Sequence, residues 1–193
     1  MEYVRSFISI DLPENIRSEL RQLQEDFKKS FPRFKWVSVT SIHLTLKFLG
    51  NVTDSQLDPI RKELQKIAEE QSAFRLSLKE TGLFPDIRRP RVVWVGLGDD
   101  IKALSQLQSH IDSALTPVGF VPEKRDFTPH LTLARIPEGL KPPELEDFGK
   151  QWVAVQINTN LNFMATSVNL MKSTLRPAGA IYDVLASFQF KSS

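Results

Sequence analysis

The sequence predicts a two-lobed fold of mixed helix and strand, because its two halves carry related elements in the same order. At an offset of 87 residues, the strand predicted at 4–12 superposes on one at 91–98. The same offset superposes Phe7 on Trp94, and His43-Leu44-Thr45-Leu46 on His130-Leu131-Thr132-Leu133. An internal repeat of this kind indicates two lobes related by approximate symmetry.

In the first half, alternating apolar residues predict strands, and apolar residues three or four apart predict helices. Pro13 ends the first strand, and Thr53 or Asp54 is the expected N-cap of the second helix. The predicted elements are a strand at 4–12, a helix at 14–29, short strands at 34–39 and 43–49, a helix at 54–70, and strands at 74–83 and 91–97 around a loop at 84–90.

The second half repeats this plan and ends in a strand-rich segment. A helix carries the stripe of apolar residues from Ile101 to Leu115, and Pro117 and Gly119 end it. The remaining predicted elements are a strand at 131–136, a Pro/Gly-rich loop at 137–143, and strands at 152–157, 167–173 and 181–190. Because no linker separates independent units, we expect residues 1–193 to form a single domain.

Composition excludes several classes of protein. The 193 residues include no cysteine, which excludes disulfides, thiolate nucleophiles, iron–sulfur clusters and Cys-ligated zinc. No apolar run approaches the roughly 18 residues of a membrane helix, and the N-terminus lacks the pattern of an export signal. We therefore expect a cytoplasmic protein with no membrane partner.

The charge balance argues against a non-specific DNA binder. The chain has 25 basic and 23 acidic residues, a net charge of +2, whereas such binders have a much stronger basic footprint. Basic residues cluster at Arg88-Arg89-Pro90-Arg91 and within residues 150–193. Each cluster is interpreted either as a solvated face or as a local anion site.

The repeated His-Leu-Thr-Leu motif is the strongest chemical signal. Because successive side chains of a strand point to opposite faces, His43 and Thr45 share one face while Leu44 and Leu46 share the other. The same holds for His130 and Thr132. Two such strands facing each other would bring two imidazoles and two hydroxyls around one point.

That set of groups suits the opening of a phosphodiester by water. Imidazole titrates near neutral pH, so one histidine can accept a proton from water while the other protonates the leaving oxygen. The hydroxyls of Thr45 and Thr132 can donate to the phosphate oxygens. This chemistry requires neither a metal nor another cofactor. From the residues alone, either histidine can be the acid.

Other interpretations of these histidines are weaker. Each motif could be a strand that happens to carry a polar residue on its outer face, but two copies at matching places in a repeat disfavour this. A metal site is a poorer fit, because each strand supplies one good ligand and no carboxylates lie nearby. The third histidine, His110, lies in a predicted helix and is expected at the surface.

The paired motifs resemble the signature of the two-histidine (2H) phosphoesterase superfamily, in particular its RNA 2',3'-cyclic phosphodiesterase branch, also called the 2'-5' RNA ligase family. The resemblance spans nearly the whole chain. It rests on Arg5–Ile10, His43–Val52, Phe127–Arg135 and the closing stretch Leu170–Leu185, with Ser173, Pro177, Gly179 and Tyr182.

The resemblance implies an α+β fold of two interleaved, pseudo-symmetric lobes. Each lobe would contribute an antiparallel sheet to a central cleft, with helices on the outside. It also implies an enzyme that hydrolyses RNA 2',3'-cyclic phosphate ends to 2'-phosphomonoesters. His43 would donate a proton to the leaving 3' oxygen, His130 would accept one from water, and Thr45 and Thr132 would contact the phosphate.

Three neighbours of the motifs are ambiguous. Arg135 follows the second motif as in the family and could bind phosphate, but its parity along the strand is opposite to that of His130, so a bend before Pro137 would be needed. Lys47 has the parity of His43 and could face the cleft or solvent. Phe48 has core parity, which favours packing over stacking on a base.

The expected partner is RNA with a 2',3'-cyclic phosphate end, with tRNA fragments among the candidates, and nothing demands more than a monomer. Three alternatives remain at this stage. The enzyme could act on a small cyclic phosphate such as ADP-ribose 1'',2''-cyclic phosphate. It could join RNA ends through a 2'-5' linkage without ATP, or the chain could be a non-catalytic RNA-binding module.

Overall fold

A computed structural model describes residues 3–176 and 179–191 of the chain. Pro177, part of the closing stretch quoted above, lies outside the described residues. The strands and helices, in chain order, are β1 (Tyr3–Ile10), α1 (Glu14–Lys28), β2 (Lys35–Trp36), β3 (Leu44–Thr53), α2 (Asp54–Glu70), β4 (Phe74–Phe84), β5 (Val92–Asp99), α3 (Ile101–Ala114), β6 (His130–Arg135), α4 (Pro142–Val153), β7 (Asn162–Ala165), β8 (Ser167–Arg176) and β9 (Gly179–Gln189).

The strands form one curled antiparallel sheet in the order β7-β4-β5-β6-β3-β1-β8-β9, and β2 pairs with β6 at its side. The two halves of the repeat meet at the centre, where Leu44 of β3 pairs with Leu131 of β6. Strand β4 pairs with β5 of the other half, and β8 pairs with β1, so each half supplies a strand to the other lobe. The prediction of a two-lobed α+β fold with antiparallel sheets is confirmed.

The core lies against the leucine face of the two motif strands. Leu44, Leu131 and Leu133 are completely buried, and Leu46 is nearly so. The apolar stripes of the helices bury against this face, including Ile16 and Leu20 of α1, Ile60 and Leu64 of α2, and Leu104 and Leu107 of α3. Burial of a side chain of this size contributes about 1.5–3 kcal/mol, so the leucines hold the motif strands firmly in place.

Most predicted elements are confirmed, but the region after β6 is not. The strand predicted at 152–157 is wrong, because α4 runs from Pro142 to Val153 and buries Trp152 completely. Alternating β-branched residues suggested a strand, whereas packing of Phe148 and Trp152, four residues apart, selects a helix. The repeat offset also places α2 on residues 141–157, so the internal symmetry carried the signal for this helix.

Candidate active site

A β-bulge interrupts each motif strand at the same point of the repeat. In β3, Thr45 pairs with Ser9 and Lys47 with Ile8, so Leu46 is an extra residue. In β6, Thr132 pairs with Trp94 and Ala134 with Val93, so Leu133 is the extra residue, 87 positions after Leu46. A bulge shifts the alternation of all later residues in its strand by one position. The residues directly after each motif therefore change face, and in β3 a second bulge at Leu49 restores the alternation from Gly50 onwards.

The bulges decide which face carries Arg135, which the sequence left open, and they correct the expectations for Phe48 and Lys47. We use the name motif face for the sheet face that carries His43, Thr45, His130 and Thr132. Arg135 pairs with Val92, which shares a face with Trp94 and hence with Thr132. Arg135 therefore lies on the motif face, although strict alternation from His130 would place it on the opposite face.

Phe48 lies at the position of the repeat that corresponds to Arg135. Phe48 pairs with Phe7 and is 67% exposed on the motif face, so the expectation that it packs in the core is wrong. Because one of these two equivalent positions is aromatic and the other cationic, the site is chemically asymmetric despite its symmetric backbone.

Lys47 lies on the opposite face, so the expectation that it faces the cleft or solvent is also wrong. Its pairing with Ile8 directs it to the core, where its side chain is 5% exposed. The Lys47 ammonium forms an ion pair with Asp112 and donates to the carbonyl of Val121 at 3.0 Å. It therefore ties β3 to α3 and to the loop that follows α3.

Both motif histidines are anchored in the same way. His43 Nδ1 lies 2.8 Å from the carbonyl of Ser41, and His130 Nδ1 lies 2.7 Å from the carbonyl of Thr128. Because a carbonyl only accepts hydrogen bonds, each Nδ1 carries the hydrogen, which leaves Nε2 as the nitrogen for proton exchange. The two anchoring carbonyls are also 87 residues apart, so the repeat extends to the orientation of the rings.

Aromatic side chains support both imidazoles. Phe7 stacks on His43 with ring centroids 4.6 Å apart, and Tyr182 of β9 meets the same ring edge-on at 4.9 Å. On the other lobe, Phe84 and Trp94 lie 5.0 and 6.4 Å from His130. Phe7 and Trp94 correspond in the sequence repeat. Tyr182 comes from the closing stretch that resembles the family, but it was not among the predicted site residues.

Burial changes the protonation of His43. Desolvation lowers its pKa from the ordinary value, while the hydrogen bond to Ser41 and the charge of Asp11 oppose the shift. The neutral imidazole is therefore favoured in the free protein. A phosphate anion beside the ring would act in the opposite direction, because a nearby negative charge favours the protonated form.

Three further observations concern His110, potential metal ligands and membrane-spanning helices. His110 is exposed on α3, as predicted. Among residues 3–176 and 179–191, no three potential ligand side chains of His, Asp or Glu lie together. No helix in the described part of the chain is long and apolar enough to cross a membrane.

Comparisons with known proteins agree with the internal repeat. A family model described as LigT like phosphoesterase matches residues 10–94 and again residues 95–182. The RNA 2',3'-cyclic phosphodiesterase of Methanothermobacter thermautotrophicus is 33% identical over 187 residues, which cover 96% of this chain and 98% of the relative. The protein of the same name from Methanocaldococcus jannaschii is 34% identical over 182 residues, 94% of this chain and 98% of the relative.

Solved structures share the fold over the full length of the chain. The crystal structure of E. coli LigT complexed with 3'-AMP superposes with a TM-score of 0.79 at 26% identity, and the match covers 99% of this chain and 100% of LigT.

Proposed function

The chain belongs to the LigT like phosphoesterase family, and from this membership we propose that it hydrolyses the 2',3'-cyclic phosphodiester at the end of an RNA to a 2'-phosphomonoester. The observation that carries the proposal is the pair of imidazoles on one sheet face, each with Nδ1 fixed on a carbonyl and Nε2 left for proton exchange. The relatives from two archaea are named for this activity, and LigT was crystallised with a nucleotide, 3'-AMP.

In the proposed reaction, His130 Nε2 takes a proton from water as the water oxygen attacks phosphorus. The bond between phosphorus and the 3' oxygen breaks, and His43 Nε2 gives its proton to that oxygen. The product has a 2'-phosphate and a 3'-hydroxyl, and the protons balance because one histidine gains what the other loses. This assignment of donor and acceptor follows the family resemblance.

The remaining residues stabilise the phosphate. Thr45 and Thr132 lie on the motif face beside the histidines, where their hydroxyls can donate to the non-bridging oxygens. Arg135, which the bulge turns onto the same face, supplies a positive charge for the phosphate oxygens. A bound phosphate anion also raises the pKa of His43, so substrate binding favours the protonated form that a donor needs.

The direct test is hydrolysis of a short RNA that ends in a 2',3'-cyclic phosphate, in EDTA and without ATP, with the product identified by phosphorus NMR. His43→Ala and His130→Ala should each lower the rate by a factor on the order of 10²–10⁴ or more. His110→Ala is the matched control, since His110 is exposed on α3, away from the motif face. Equal rates in all four proteins would rule out the mechanism, and no turnover by wild type would rule out the substrate.

A further inference from the structure

A basic cavity lies at one end of the motif face, next to the proposed phosphate site. Lys35 of β2 and Val92 of β5 flank Arg135 as its cross-strand partners on either side. Directly paired residues of antiparallel strands project from the same face, so Lys35 and Arg135 stand side by side on the motif face. The cavity is open to solvent, has a volume of about 450 Å³ and is lined by Lys35, Arg91, Val92, Arg135, Ile136, Pro137 and Glu138.

The charges and the backbone of this cavity fit an anion. Its lining has three cationic side chains and one carboxylate, that of Glu138, which lies 3.5 Å from Arg91 and is 91% exposed. The backbone of Arg91 is fixed by two hydrogen bonds. Its amide donates to the carbonyl of Phe84 at 2.6 Å, and its carbonyl accepts from the amide of Ile136 at 2.9 Å. An excess of positive charge favours a phosphate group, and the fixed backbone at Arg91 confines the ordering cost of binding to the side chains.

The cavity also lies at the correct end of the site for the next phosphate of an RNA chain. Because Leu44 and Leu131 pair antiparallel, Phe48 and Arg135 lie towards opposite ends of the motif face. In a nucleoside 2',3'-cyclic phosphate, C1' and C4' lie on opposite sides of the ring edge that carries the phosphate. The base and the 5' phosphate of the terminal nucleotide therefore leave the scissile phosphate in opposite directions.

Resting on the proposed function, we propose that Lys35 and Arg91 of this cavity bind the phosphodiester on the 5' side of the terminal nucleotide, next to Arg135 at the scissile phosphate, while the base of that nucleotide lies towards Phe48. The cross-strand partners of Thr132 and Arg135, Trp94 and Val92, are two residues apart, so Arg135 is about 7 Å along the sheet from Thr132 and one RNA chain reaches both places. The same antiparallel register sets His43 beside Thr132, on the cavity side. Binding in this orientation directs the 3' oxygen, which is the oxygen nearer the 5' phosphate, towards His43, the proposed proton donor.

The test compares a nucleoside 2',3'-cyclic phosphate, which has no phosphate on its 5' side, with a pentaribonucleotide that ends in the same cyclic phosphate. Lys35→Ala and Arg91→Ala should each lower kcat/KM for the pentaribonucleotide roughly fivefold at low salt and leave the mononucleotide within twofold. Glu138→Gln should act in the opposite direction, since it frees Arg91. Lys102→Ala, which removes an exposed lysine of α3, is the matched control for charge, and melting temperatures check folding.

Binding provides a second readout that does not depend on turnover. The affinity of a fluorescent pentaribonucleotide with a 3'-phosphate is measured by anisotropy at increasing salt. Each of the two alanine variants should reduce the slope of log K against log salt by about 0.7, the value for one neutralised phosphate of a single strand.

The outcomes separate the subsite from the activity. Loss of kcat/KM confined to the pentaribonucleotide supports the subsite. Equal loss on both substrates, or no loss, overturns it while the activity stands. If wild type hydrolyses neither substrate, the proposed function fails, and the salt slopes alone decide: a reduced slope supports the subsite and an unchanged slope overturns it.

Discussion

The buried ion pair between Lys47 and Asp112 gives the most direct test of the bulge in β3. Replacement of Lys47 by Met keeps an unbranched side chain but leaves the carboxylate of Asp112 without its cation. Loss of one partner of a buried pair costs about 3–5 kcal/mol. Asp112 keeps a hydrogen bond from the amide of Glu123 at 2.9 Å and is 13% exposed, so we expect about 2–4 kcal/mol for Lys47→Met.

A loss of this size lowers the melting temperature by roughly 5–15 °C in a chain of this length. The measurement is urea or thermal unfolding together with kcat/KM for a 2',3'-cyclic phosphate at 25 °C, where most of the protein remains folded. Because Lys47 lies on the core face, kcat/KM per folded molecule should stay within about twofold. The double variant Lys47→Met/Asp112→Leu should recover most of the stability, because it removes the orphaned charge.

A loss of activity in place of a loss of stability would refute this reasoning. A large fall in kcat/KM with little change in stability would place Lys47 on the motif face, as strict alternation from His43 predicts. The assignment of a bulge at Leu46 would then be wrong. The placement of Phe48 on the motif face, which depends on that bulge, would be wrong as well.

The remaining predictions concern the histidines and their aromatic neighbours. If His43 is the proton donor, kcat/KM falls as pH rises through its lowered pKa, so the decline begins below the ordinary value of about 6.5; a rate that instead rises to a plateau over that range would make His43 the acceptor. Phe48→Ala should raise KM roughly fivefold or more without loss of stability, because an exposed ring can stack on a base, and an unchanged KM would exclude that contact. A Cβ at Gly82 would lie 2.0 Å from the Trp94 ring, so Gly82→Ala should cost about 1–3 kcal/mol in urea unfolding and lower kcat by displacing a neighbour of His130. Gly82→Ala combined with Trp94→Leu should regain stability, and a fully stable single variant would contradict this packing.

Much of the site could be predicted from local sequence because strand alternation is a local property. The two His-Leu-Thr-Leu motifs place each histidine and threonine on one face and the leucines on the other, and the structure buries those leucines. Apolar periodicity likewise predicted α1, α2 and α3 to within a few residues. The repeat indicated the two lobes. It also indicated α4, because the offset of 87 residues places α2 on this segment, whereas the alternating β-branched residues there favoured a strand.

The tertiary structure decided what lies beyond each motif and around it. A bulge depends on how a strand pairs with its neighbour, so the faces of Lys47, Phe48 and Arg135 follow from the partner strands β1 and β5 and not from their own spacing. Tyr182 reaches His43, and Lys35 reaches Arg135, only because the sheet brings distant segments side by side. The sequence determined the chemical groups and their local alternation, whereas long-range strand pairing determined which of them share one surface.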